Sequence, residues 1–385
     1  MKKKILTIAF VLLFAVSSIF ASVNFVFGKF TMHPDLLLGF VPLHATAGVE
    51  YDGISLIDGS ETSFRILAGG GYTQRKVWQN PDTGAVIKAD PVVYDAIDLD
   101  WSLSVKQDFL PNDDDRILEV SLSYNGQFDK AVDSVSVGKV KKNGGEYAIK
   151  TLAGYGIGDN YRGTTIPEIN GNKRFLGTQF ALSFKVAEMV DDIHTNDGYI
   201  LEAEALWAPS ALNKALDGYA DYYAFTLNAI SAKTLYKLES NDATMLSIVA
   251  INRTNIKYIG GKAVPMFFQE PNSLGRRVRG FTKGTYNSEF SIVSNSDIRF
   301  AGPFIGVDGI APRINIFYDF GYGFGKVLNT DVKEKYILSS AGVQATVTLA
   351  DGLDLGYQFA YLFEGENYAK GKSGLVGSMT IFLDF

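Results

Sequence analysis

The sequence contains no cysteine. That excludes a disulfide framework, a thiolate zinc site, a thiol nucleophile and a lipid-anchoring cysteine behind a leader. Histidine is nearly missing too: His33, His44 and His194 leave little for imidazole chemistry. His33, beside Pro34, has no second ligand at metal spacing, so no metal and no cofactor are expected. An excess of positive charge is also absent. Lys and Arg number 36 against 42 Asp and Glu, a net charge of −6. This argues against nucleic acid, whose phosphates want a basic face. No G-x-S-x-G, H-E-x-x-H or paired Ser/His arrangement occurs, so no enzyme and no catalytic residue are expected. Gly69-Gly70-Gly71 and Gly321-Tyr322-Gly323-Phe324-Gly325 open no helix, which makes phosphate binding a poor reading. Beyond the N-terminus no stretch approaches 18 uninterrupted apolar residues, so no transmembrane helix is expected.

What is present starts with a leader. Lys2-Lys3-Lys4 precedes an apolar run from Ile5 to Phe14, closed by the small residues of Ser17-Ser18-Ile19-Phe20-Ala21. The run is short for a membrane anchor, which needs about 20 residues. Residues 1–21 are therefore assigned as a signal peptide, cleaved after Ala21, and residues 22–385 as the mature chain. A chain that leaves the cytoplasm without spanning helices can still cross a membrane as a closed β-barrel.

Period-two alternation supports that reading. Leu118, Val120, Leu122 and Tyr124 alternate with polar neighbours, as do Phe180, Leu182, Phe184 and Val186. The same holds for Tyr199 to Trp207, Tyr223 to Ala229, Ala341 to Leu349 and Leu353 to Tyr361. Segments of about ten residues with one apolar face and aromatic ends suit lipid-exposed strands. A soluble β-sandwich has the same period, usually with shorter strands. Here the opposite face is often Ser, Thr, Gly, Asn or Gln, which suits a wet, crowded lumen. Glu202 and Glu204 share a face and are read as lumen-lining charge. Residues 206–221 are read as a loop, because Pro209 interrupts a short helical stretch. Residues 130–175 and 261–288 are read as two long loops, the first external. The last strand alternates through Leu375, Gly377, Met379, Ile381 and Leu383 and stops on Phe385, like the C-terminal signal read by the outer-membrane assembly machinery. The fold expected is all-β: a transmembrane antiparallel barrel in the outer membrane of a Gram-negative-type envelope, in contact with outer-membrane lipid.

A motif adds a family. Val278-Arg279-Gly280-Phe281 is followed by Ser294-Asn295-Ser296-Asp297-Ile298-Arg299-Phe300 and then by Ile314-Asn315-Ile316-Phe317-Tyr318-Asp319-Phe320-Gly321. Ser339 to Val343, Leu353 to Tyr357 and the aromatic last strand complete the series. Over about residues 270–385 this order resembles the C-terminal barrel of the BamA-like superfamily, also called the bacterial surface antigen family. The resemblance implies sixteen strands and a long loop that folds back into the barrel with the V-R-G-F motif at its tip. It further implies that Arg279 is held by Asp297, Phe317 and Asp319 on two inner-wall strands. Alternation is consistent with this, since Asp297, Phe317 and Asp319 lie opposite the aliphatic faces of their strands. Gly280 would permit an unusual backbone, and Phe281 would pack on the inner wall. Arg276 and Arg277 are read as solvated loop charges or lipid-headgroup contacts.

Members that assemble or secrete proteins carry periplasmic POTRA domains. Only a handful of residues separate Ala21 from the first expected strand near Asn24 to Phe30, so none is expected in this sequence. Three functions follow as expectations. The first is an assembly or translocation barrel working with a separate periplasmic partner. The others are a passive channel and a surface-exposed structural or adhesive protein acting through its loops.

Overall fold

The computed structural model describes residues 22–32, 43–77, 92–113, 115–132, 175–191, 196–240, 243–302, 310–349, 353–367 and 374–383. The leader expected at residues 1–21 and the terminal Phe385 lie outside these residues, as does most of the loop expected at 130–175. Fourteen strands follow one another: β1 (Ser22–Met32), β2 (Leu43–Ile54), β3 (Glu61–Val77), β4 (Val92–Asp108), β5 (Arg116–Val132), β6 (Phe175–Asp191), β7 (Asn196–Ala208), β8 (Asp221–Ser240), β9 (Ala243–Ala263), β10 (Phe290–Ala301), β11 (Ile310–Lys326), β12 (Lys333–Leu349), β13 (Leu353–Glu364) and β14 (Leu375–Leu383). Each pairs antiparallel with the next in a single sheet curled into a barrel. Among the described residues no ladder joins β14 to β1.

The class is as expected, but the strand number is fourteen among the described residues rather than sixteen. Many strands run to 17 residues, and β8 and β9 reach 20 and 21.

The alternation sorts side chains as the sequence implied. Leu122, Leu182, Phe225, Ile316, Tyr318 and Phe359 face outward and are exposed. Their neighbours Asp297, Phe317 and Asp319 face inward and are buried. An apolar exterior with a polar interior is the pattern of a lipid-embedded barrel, the inverse of a soluble core. Among the described residues no helix is long and apolar enough to cross a membrane.

The two rims differ. Connections after even-numbered strands are short, as at 192–195, 241–242 and 350–352. Those after odd-numbered strands include 133–174, 209–220 and 264–289. Short turns at one rim and long loops at the other are usual for such barrels. The two long loops foreseen from the sequence thus share a rim.

Residues 209–220 correct one expectation. They contain a helix, α1 (Ser210–Ala215), rather than a loop throughout. Pro209 sits just before the first turn, where no backbone N–H is needed. Fully buried Asn213 holds the helix to β6: its Oδ1 accepts from Thr178 N at 2.6 Å and its Nδ2 donates to Thr178 O at 3.0 Å.

Candidate functional site

The connection between β9 and β10 folds into the barrel. It carries two short helices, α2 (Met266–Asn272) and α3 (Leu274–Arg277). α2 packs Phe268 against Tyr222 with ring centroids 4.7 Å apart and also approaches β3. Asn329, in the β11–β12 turn, fixes the entry by accepting from Val264 N at 2.7 Å and donating to Val264 O at 2.9 Å.

The motif follows α3 directly. Val278 and Phe281 are buried in an apolar cluster with Leu274, Tyr286, Val293, Leu338, Leu362 and Val376. The wall is shaped to receive them. A Cβ on Gly321 would lie 2.6 Å from Val278 Cγ2, and one on Gly323 would lie 2.5 Å from Leu274 Cδ1. The alternating Gly-aromatic run of β11 therefore bares its inner face for the loop and keeps Tyr322 and Phe324 outside. Gly280 has φ +90°, and a Cβ there would come within 2.8 Å of both Ala360 and Leu362. Glycine is required at that position by backbone conformation and by space.

Arg279 lies at the centre. Its Nε and Nη2 donate to the two oxygens of Asp319 at 2.8 and 2.6 Å. Its backbone N–H donates to Asp319 Oδ2 at 2.9 Å. Nη1 donates to Asp297 Oδ1 at 2.7 Å. The guanidinium stacks over the Phe317 ring, 3.9 Å from its centroid. Two forked charge-assisted bonds plus a stacked ring use the planar geometry that Lys lacks. Burial opposes the charge on Arg279, but the bonds to Asp319 and Asp297 outweigh it and hold its pKa above the ordinary value. Neighbouring backbone is also tied down: Ser340 Oγ donates to Arg279 O at 2.7 Å, and Asn367 Nδ2 donates to Gly280 O at 2.6 Å. The structure therefore brings together Arg279, Asp297, Phe317 and Asp319, with Val278, Gly280 and Phe281 packed beside them.

Two residues of this site escaped the sequence reading. Arg253 on β9 places Nη1 3.0 Å from Asp297 Oδ2, so Asp297 bridges two arginines. Its inward position on a strand next to β10 was legible, but the register that pairs it with Asn295 was not. Arg277, read as solvated or headgroup-bound, is instead half-buried in the lumen, hydrogen-bonded to Asn255 and Ser291. Desolvation pulls its pKa down to about 10. Arg276 is exposed, as expected of a solvated charge. The positions 276 and 277 look alike in sequence; the one-residue helical step between them sends one to solvent and the other to the wall.

A second charged cluster lies on β2 and β4. His44 Nδ1 is 2.6 Å from Asp98 Oδ2, and Nε2 is 2.8 Å from Asp100 Oδ1. Gly71 and Gly69 of β3 sit between them in register, so His44 reaches across a strand with no side chains in the way. One ring nitrogen and two carboxylates could in principle ligate a cation. Both nitrogens are already faced by a carboxylate, so a cation would have to displace one of those pairings.

Comparison with known proteins places this architecture. No family model matches the chain, and no curated protein matches it. The BamA structure from Haemophilus ducreyi lacking POTRA domains 1–3 is similar over 94% of this chain and 70% of its own, with a TM-score of 0.50 and 12% identity. CdiB from Acinetobacter baumannii is similar over 89% of this chain and 50% of its own, with a TM-score of 0.45 and 11% identity. At these identities the likeness bears on fold alone. The chain is an outer-membrane-type β-barrel with the fold of the BamA barrel.

Proposed function

We propose that this barrel assists assembly or translocation of outer-membrane proteins, with a separate periplasmic partner. The observation that carries the reading is the inward loop held by Arg279 through Asp319 and Asp297. A buried ion-pair network that fixes a loop across the lumen narrows the path for free passage of solutes. Depleting the protein is expected to lower the amounts of other outer-membrane proteins. Normal amounts after deletion would overturn the proposal.

One observation favours a passive channel instead. The wall opposite the loop is polar and charged, with Lys106 3.3 Å from Glu119 and Lys185 3.9 Å from Glu202. In that case planar bilayers should show single-channel conductance, and Arg279→Ala, by freeing the loop, should raise it.

A further inference from the structure

The described outer face is largely apolar at mid-height, and an extended polar area lies on three adjacent strands. β8, β9 and β10 place Ser231, Asn252, Thr254, Ser294 and Ser296 there, side by side. Asn252 is in register with Ser231 on one flank and Ser296 on the other, and Thr254 with Ser294. They lie on the face of Phe225, Ile298 and Tyr318, opposite the lumenal Arg253 and Asp297.

Their height is fixed by the same registers. Tyr258, Phe225 and Phe290 pair toward the long-loop rim, and Ile248, Tyr236 and Phe300 toward the other. From Ile248 to Tyr258 is about 33 Å of strand at ~3.3 Å per residue, or roughly the 25 Å apolar band once tilted. Asn252 and Thr254 fall in the middle of it, where neither water nor headgroups reach.

The patch is bonded internally but not completed. Asn252 Nδ2 donates to Ser294 Oγ at 3.0 Å and Ser296 Oγ at 2.9 Å, and Thr254 Oγ1 donates to Asn252 Oδ1 at 2.9 Å. Both serines accept, and among the described bonds neither hydroxyl proton is given to an acceptor. A cavity of about 520 Å³ opens beside them, bounded by Ser231, Lys233, Ala250, Ile316 and Tyr318. Acyl chains can fill that volume but offer no acceptor, and polar groups left facing hydrocarbon are costly.

We propose that this patch is the contact face between two copies of the chain within the membrane. Asn, Ser and Thr present donors and acceptors together, so the patch is its own complement across a two-fold axis. Serine protons of one copy find acceptor oxygens on the other. Ala250 and Ser231 are small enough for the two walls to approach, as small residues are at other membrane contacts. The one charged side chain on this face of the cavity, Lys233, is in register with Ala250 and is paired with Asp197 at 2.8 Å.

The absence of cysteine makes the test direct. Ala250→Cys and, as a control on a distant wall, Leu103→Cys are each reconstituted in lipid vesicles, checked for folding by heat-dependent gel mobility, and oxidised. The expected result is a disulfide-linked dimer from Ala250→Cys and little from Leu103→Cys. Adding Asn252→Leu, Ser294→Ala and Ser296→Ala to Ala250→Cys removes only lipid-facing polar atoms. It is expected to cut dimer yield about tenfold with folding intact. Equal linking at both positions, unchanged yield in the apolar variant, or linkage in native membranes to a different protein instead of a second copy would each overturn the proposal.

Discussion

Asp319 and Asp98 are both buried carboxylates on inner strand faces, one on β11 and one on β4, yet they serve different ends. Asp319 takes three hydrogen bonds from a single residue of another segment, Arg279, so it fastens loop to wall. Asp98 is approached by His44 two strands away, so its cluster fastens wall to wall. The two also differ in balance. Around Arg279, two arginines meet two aspartates. Around His44, Asp98 and Asp100 are joined by Asp129, which stands directly across from Asp98 on β5. The first cluster is electrically closed and geometrically exact in its partners. In the second, Asp98 and Asp100 share one imidazole. A buried charge network in this barrel thus indicates a fixed loop only when its bonds cross from one segment to the other.

The comparison can be broken in order of effect. Asp319→Ala strands a buried guanidinium and should cost about 3–5 kcal/mol. Urea titration of the folded form in vesicles would read it, together with faster proteolysis within residues 264–289. Asp98→Ala should cost less, because it also relieves a like-charge pair; an equal cost would erase the distinction. Gly280→Ala forces a side chain into a positive-φ site against Ala360 and Leu362. About 2–3 kcal/mol is expected, with the same gain in loop cleavage. His44→Ala leaves Asp98 and Asp100 without their base, at about 1.5–2 kcal/mol, and should leave loop proteolysis unchanged. Arg253→Ala removes the outer arm of Asp297. Its side chain is 44% exposed, and solvent screening limits the loss to about 1 kcal/mol or less. A cost near that of Asp319→Ala would show that the lock is shared equally between the two arginines.

Much of this arrangement was legible in the sequence because strands report their two faces locally. Phe317 and Asp319 sit two apart, so their shared inward face follows from alternation alone. The motif loop was legible through its resemblance to a known series of residues. What escaped depends on register or on space. His44 meets Asp98 and Asp100 only because β3 offers glycine at the intervening positions, a coincidence of three strands. Gly321 and Gly323 look like flexibility in sequence and are room for Val278 and Leu274 in the structure. Arg277 was misjudged because its solvation is decided by which way a four-residue helix turns.

The strictly sequential strand order has a kinetic consequence. Among the described residues every ladder joins chain neighbours, so most closures cost only the entropy of a short loop, and pairing can spread hairpin by hairpin. The Arg279 network is different: its carboxylates come from β10 and β11, which follow the loop in the chain. The latch can therefore close only after the wall behind it has been laid down, so its closing marks a sheet that has already registered correctly through β11.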